Sequence, residues 1–288
     1  MIGIIGIVTI FAMVFGGYLL AGGKMAIILK TLPFEMIMIG GAATGAFLIS
    51  NDSAAIKHTI KDIGKVFKGP KWKPQDYTDL LCLLFALIRI ARQNPIEAEQ
   101  HIEDPESSSL FAKYPKILAD SEAINLICDT MRSASMNYDD PHQVEEVLEK
   151  RMEANAHHAM HSSHALQTVA DGLPALGIVA AVLGVIKTMA SIDKPPEVLG
   201  GMIGGALVGT FLGVFLAYAL VGPFATKVQN IREQEHYFYA LIQEVLVSSL
   251  HNNPTNICVE VARRSAPKSQ RPSFTEIEES LKALKQAA

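Results

Sequence analysis

Residues 198–226 read VLGGMIGGALVGTFLGVFLAYALVGPFAT, nearly thirty positions without one charged side chain. A helix of this length, rising about 1.5 Å per residue, exceeds the ~30 Å hydrocarbon core of a bilayer, so the stretch predicts a membrane span with length left over for tilt or protrusion. Within it Gly201, Gly205, Gly209, Gly213 and Ala217 recur at every fourth position. That spacing lays small residues in one stripe, where a second helix backbone can approach closely, whether from the same chain or from another subunit.

Three further spans follow outward from this one. Residues 172–191 form the third, with Gly177, Ala181, Gly184 and Thr188 again at near-helical spacing and Lys187 close enough to the end to snorkel. The second runs from about Pro33 to Ser50, carrying Gly41 and Gly45, and its only charge, Glu35, falls two residues from that start, where a carboxylate reaches headgroups and water. Residues 1–23 are uncharged and as a helix would extend roughly 33 Å. They lack the basic n-region and small-residue cleavage pattern of a secretory signal, so they are expected to remain as an anchor. The whole chain is 49% hydrophobic and 19% charged, a balance for two environments. It predicts an all-α integral membrane protein with four transmembrane helices and a helical cytoplasmic domain.

Orientation follows from lysine placement. Lys57, Lys61, Lys65, Lys68, Lys71 and Lys73 follow the second span, whereas the loop 24–32 has two lysines and the loop 192–197 has one. Short lysine-rich segments stay on the cytoplasmic side, which puts both termini there in an inner-membrane, multi-pass protein. The expected organisation is a first span pair at 1–50, a basic membrane-proximal connector at 51–75, a cytoplasmic helical domain at 76–170, a second span pair at 171–226 and cytoplasmic helices at 227–288. Ile56, Ile60, Ile63 and Phe67 alternate with the connector's lysines as on a helix lying on anionic lipid; a solvated connector fits equally. Leu80, Leu81, Leu84, Leu87 and Ile88 mark an amphipathic helix in the cytoplasmic domain, which Pro95, Pro105, Pro115 and Pro141 break into pieces. From Pro141 a long helix runs on into the third span. Residues 227–250 continue the fourth, and Asn252-Asn253-Pro254 turns the chain towards a last amphipathic helix marked by Phe274, Ile277, Leu281 and Leu284.

Enzyme classes lose ground by their missing signatures: there is no P-loop pattern, no H-E-x-x-H and no G-x-S-x-G. A formal charge of -4 without a basic recognition helix gives no reason to expect nucleic acid as a partner. Cys82, Cys128 and Cys258 are too far apart for a zinc knuckle and read as free thiols. His157, His161 and His164 share one helical face, next to His158; a solvated face is the plain reading of this cluster, and no metal or cofactor is expected. Arg92, Glu97, Glu99, Glu103, Asp104 and Glu106 form a mixed, mainly acidic patch that on pattern alone is a wet surface.

An ion relay needs a carboxylate or imidazole at depth, and the third and fourth spans have none near their centres. If ions cross here, the key carboxylate comes from a partner helix, while Thr210 offers a hydroxyl in mid span; its plain alternative is a bond back to its own helix. Pro174 and Pro223 each remove a backbone bond, making a kink or a hinge point.

Residues 171–184, DGLPALGIVAAVLG, closely resemble the third span of the MotA family of flagellar motor stator proteins. VGTFLG at 208–213, Ala217-Tyr218 with Pro223 beyond, Tyr114-Pro115, ILAD at 117–120, RPSF at 271–274 and FGGY at 15–18 extend the resemblance over nearly the whole chain. It implies a homopentameric ring around a dimer of MotB, whose single membrane helix brings an ion-binding aspartate, and a cytoplasmic domain that pushes the rotor protein FliG. By position it assigns Arg92 and Glu99 to the rotor interface, Pro174 and Pro223 to conformational change and Thr210 to the channel. The 92–99 segment is one residue shorter than the family pattern, so Glu97 stands as an alternative to Glu99. Sodium-type members place a threonine where this chain has Ala181, which favours a proton as the transported ion. A TolQ- or ExbB-like motor subunit is the competing reading; such proteins usually have three spans, and the additional N-terminal span pair here, with the RPSF segment, discriminates against it.

Overall fold

The computed structural model describes residues 2–135 and 140–287. Met1, residues 136–139 and Ala288, which belong to the expected segments 1–50, 76–170 and 227–288, lie outside the described residues. In chain order the helices are α1 (Ile2–Leu20), α2 (Met25–Ser50), α3 (Ser53–Lys68), α4 (Pro74–Gln93), α5 (Pro95–Glu103), α6 (Pro115–Leu118), α7 (Ser121–Ser135), α8 (Pro141–Met189), α9 (Pro196–Leu250), α10 (Thr255–Ser265) and α11 (Phe274–Ala287). No strand occurs among the described residues. Pro74, Pro95, Pro115 and Pro196 each stand at the start of a helix, where a missing N–H leaves no bond unmade. Among the described residues four helices, α1, α2, α8 and α9, are long and apolar enough to cross a membrane.

The second span departs from expectation. α2 begins at Met25, not at Pro33, so the lysine-bearing segment read as a loop is helical and Lys30 sits in it. A proline inside a membrane helix is tolerated because neighbouring groups re-satisfy the backbone it disturbs. Here the chain widens into a π turn at Met36–Gly40 directly afterwards.

The chain divides into two compact units, residues 1–69 with 159–231 and residues 70–158 with 232–288. In the first unit α3 starts on an Asp52 cap, whose carboxylate accepts from the Ala55 N–H at 2.7 Å. Its buried face is Thr59, Asp62 and Val66. Val66 packs with Leu166, Ala225 and Val228, and Phe67 meets Phe224 edge-on at 6.0 Å. Ile60 stays exposed.

The core of the second unit is built around α4, whose Leu80, Leu81, Leu83, Leu84 and Leu87 are all fully buried. Trp72 stacks on Phe238 at 3.8 Å, and Tyr77 closes on the same ring edge-on at 5.3 Å. Lys71 pairs with Asp120 and Lys116 with Asp76, both ammonium groups lying over Trp72. Asp120 also caps α7 through the Ala123 N–H at 2.8 Å and accepts from the Tyr239 hydroxyl, which gives the ILAD segment a structural task. RPSF has one too: Ser273 and Glu276 form a reciprocal capping box at the start of α11, with bonds of 2.7 and 3.2 Å. Burial raises the thiols of Cys82 and Cys128 to about 11, so neither carries thiolate at neutral pH.

Candidate functional site

Glycines set the distance between the membrane portions of α8 and α9. A Cβ on Gly177 would lie 2.9 Å from the Gly209 carbonyl oxygen and 3.1 Å from the Gly213 Cα, and one on Gly213 would lie 2.6 Å from the Leu173 oxygen and 2.8 Å from the Gly177 Cα. These are backbone-to-backbone contacts that no side chain could enter without parting the helices. A Cβ on Gly184 would lie 2.6 Å from the Ala206 Cβ and 3.0 Å from its Cα. On another side α9 packs against α2, where Cβ positions on Gly205 and Gly209 would meet Thr31 Cγ2 at 2.8 Å and Glu35 Oε2 at 2.7 Å. The four-residue stripe therefore splits. Gly205, Gly209 and Gly213 serve packing within the chain, whereas a Cβ on Gly201 would meet nothing within 4 Å.

Glu35 is the clearest correction to the sequence reading. Expected at a span margin and in water, it lies eleventh in a 26-residue helix and is only 5% exposed. Its Oε2 is buried without a hydrogen-bond partner. Because a Cβ on Gly209 would also come within 3.3 Å of the Ala181 backbone nitrogen, Glu35, Gly209 and Ala181 occupy one level of the bundle. The interior of the span bundle thus holds a carboxylate after all. The misplacement follows from the start given to α2: counted from Met25, Glu35 falls in mid helix and shares a face with Thr31, one turn earlier.

Thr210 lies beside this level on a different face of α9, half-buried, lining a groove with Thr9, Ile10 and Met13 of α1. Among the described residues Thr31, Thr44, Thr188 and Thr226 return their hydroxyls to the carbonyl four residues back, and Thr210 makes no such bond. Pro174 lies deep inside the 49-residue α8 and does not open a helix. Pro223 follows a π turn at Leu216–Val221, in which the Gly222 N–H reaches five residues back to the Ala217 carbonyl. Gly222 is required there, since a Cβ would sit 2.9 Å from that oxygen.

In the second unit Arg92 is held by the turn that ends α9. Its guanidinium donates to the Asn253 carbonyl at 2.7 Å and to the Ser249 hydroxyl at 3.3 Å. Glu97 accepts from the Asn94 side chain at 3.2 Å, and Glu99 is exposed with no described partner. The histidines 157, 158, 161 and 164 are all exposed. The grouping of possible metal ligands found among the described residues is a different one, His142, Glu145 and His251.

Comparison with known proteins accords with this architecture. Residues 4–95 match the family described as Motility protein A N-terminal, and residues 120–239 match the MotA/TolQ/ExbB proton channel family. Motility protein A of Salmonella typhimurium is 37% identical over 286 residues, covering 98% of this chain and 95% of that protein. Its Escherichia coli counterpart is 36% identical over 283 residues, with the same coverage of 98% and 95%. Among solved structures, C. jejuni MotAB superposes with a TM-score of 0.72 at 19% identity, covering 94% of this chain and 98% of that one, a likeness of fold. The chain belongs to the motility protein A family, within the MotA/TolQ/ExbB proton channel proteins, which are ion-channel subunits and not enzymes.

Proposed function

We propose that this chain is the ring-forming subunit of a flagellar stator, working with MotB, and that proton flow past it drives torque on FliG. The observation that carries this reading is the likeness to motility protein A along nearly the whole chain, the first span pair included. Four spans that begin with such a pair distinguish the chain from a TolQ- or ExbB-like subunit, which usually has three. Five copies would surround a MotB dimer, with α8 and α9 inward and α1 and α2 as the outer brace. The exposed apolar residues Ile178, Val182, Leu207 and Val214 on α8 and α9 leave surface in the membrane for such neighbours. Both termini face the cytoplasm, in keeping with the lysines of α3 and an even number of spans.

In this arrangement the MotB aspartate takes up the ion, Thr210 presents its uncommitted hydroxyl, and Ala181 offers none. Pro174 and Pro223 supply the bending points, and Arg92 meets the rotor together with Glu99 or, in its place, Glu97. The energy available is about 2.3 kcal/mol per charge per 100 mV of membrane potential. Purification of the full chain from its own membranes is expected to bring down a partner with one membrane helix bearing one acidic residue, and a strain lacking the chain is expected to keep its flagella without turning them. Normal swimming in that strain, with no second stator present, would sink the proposal.

A further inference from the structure

We infer that Glu35 is a proton-binding site within this subunit, separate from any carboxylate that a partner brings. Three observations place it. The side chain is 95% buried, as its 5% exposure shows, and Oε2 has no hydrogen-bond partner. It presses against Gly209 of α9, at the level of Ala181 in the middle of the bundle. It also lines a cavity of about 670 Å³ between α2, α8 and α9, whose other polar lining is Lys30, Thr31, Lys187 and Thr188.

An ionised carboxylate without a donor or cation is costly at such depth, so the group holds a proton or must take a counter-charge. Thr31 and Thr188 give their hydroxyl protons to their own helices, which leaves them unable to donate to Glu35 at the same time. Lys30 and Lys187 are exposed, and they are the charged groups that α2 and α8 contribute to the cavity; α9 contributes none. Exchange is simple: the carboxyl O–H bond breaks, its electron pair stays on the carboxylate, and the proton passes to a water entering the cavity; uptake is the reverse. Ionisation then favours a wetter, looser contact between α2 and α9 at Gly205 and Gly209, so proton loading is tied to helix packing.

The consequence for ion flow rests on the proposed stator function, but the site can be read without it. Membranes holding the full chain with its partner are treated with dicyclohexylcarbodiimide, which reacts with protonated carboxyls in apolar surroundings, and the Glu35 peptide is followed by mass. Labelling at neutral pH that fades as pH rises, and that is absent in Glu35→Gln, is the expected result. No labelling overturns the inference, and protection by sodium at constant pH overturns it in favour of a metal cation. Proton flux through the same complex is the second arm: Glu35→Gln should assemble and lose flux, and Glu35→Asp should recover part of it. A Gln variant that conducts like the parent leaves Glu35 a packing residue and overturns the inference. If the parent itself conducts nothing while Glu35 is still labelled, the failure belongs to the stator reading and not to the site.

Discussion

Gly213 and Gly201 hold equivalent places in one four-residue repeat, yet a methyl group would meet opposite surroundings at the two. On Gly213 it enters the backbone of α8 at 2.6–2.8 Å, and on Gly201 it meets nothing within 4 Å. Gly213→Ala is therefore expected to destabilise the purified chain by about 1–3 kcal/mol through overpacking, seen as a lower thermal midpoint. Gly201→Ala should leave that midpoint within about 0.5 kcal/mol of the parent. Equal effects would show that the stripe acts as one surface. The charged patch divides in the same manner. Arg92→Glu removes the bonds to Asn253 and Ser249 and should cost about 1 kcal/mol of stability besides any torque. Glu99→Lys touches no described partner, so a fall in swimming speed without a fall in thermal midpoint is expected if Glu99 meets the rotor. From sequence Arg92 and Glu99 looked alike because charge pattern records which residues are wet and nothing about what holds them.

At the scale of elements, the second span pair was legible because two signals agreed: a long uncharged run and small residues at helical spacing. The second span is harder to read because a proline marks a helix start as readily as an interior kink, and the chain ahead of it, with Lys24 and Lys30, resembles a loop in composition while it is helical from Met25. Burial of Glu35 is hidden by the same ambiguity. The π turns at Met36–Gly40 and Leu216–Val221 have no compositional mark of their own, although each lies close to a proline. Pro223 gives a test of what the second turn does. Its replacement by alanine restores a backbone donor and lifts a penalty of about 3 kcal/mol for proline in a helix interior, so α9 should close into regular helix and the chain should gain stability. If the turn is a working hinge, Pro223→Ala will also swim more slowly at unchanged membrane level. Faster or equal swimming with the stabler protein would make the turn a mere accommodation.

The whole molecule raises the question of which ion it is built for. Sodium is a hard cation that needs several oxygen ligands at once, whereas a proton needs one acceptor and a water chain. The oxygens available from α8 and α9 are poorly placed for a shared shell. Ala181 supplies no hydroxyl, Thr188 stands seven residues further along α8, about 10 Å away at 1.5 Å per residue, and Thr210 lines the groove towards α1 while Glu35 sits against Gly209 on the α2 side. The close Gly177–Gly213 contact leaves no room for a hydrated ion between the two helices. Single acid-base groups at separate places suit proton transfer. Swimming by cells that depend on this chain should thus stop on addition of a protonophore and keep its speed when external sodium is replaced by potassium at constant pH. Speed that follows sodium and survives the protonophore would require an oxygen shell supplied mainly by other chains, and Ala181→Thr would then be expected to raise the apparent sodium affinity; in a proton-driven motor the same substitution leaves the sodium response flat.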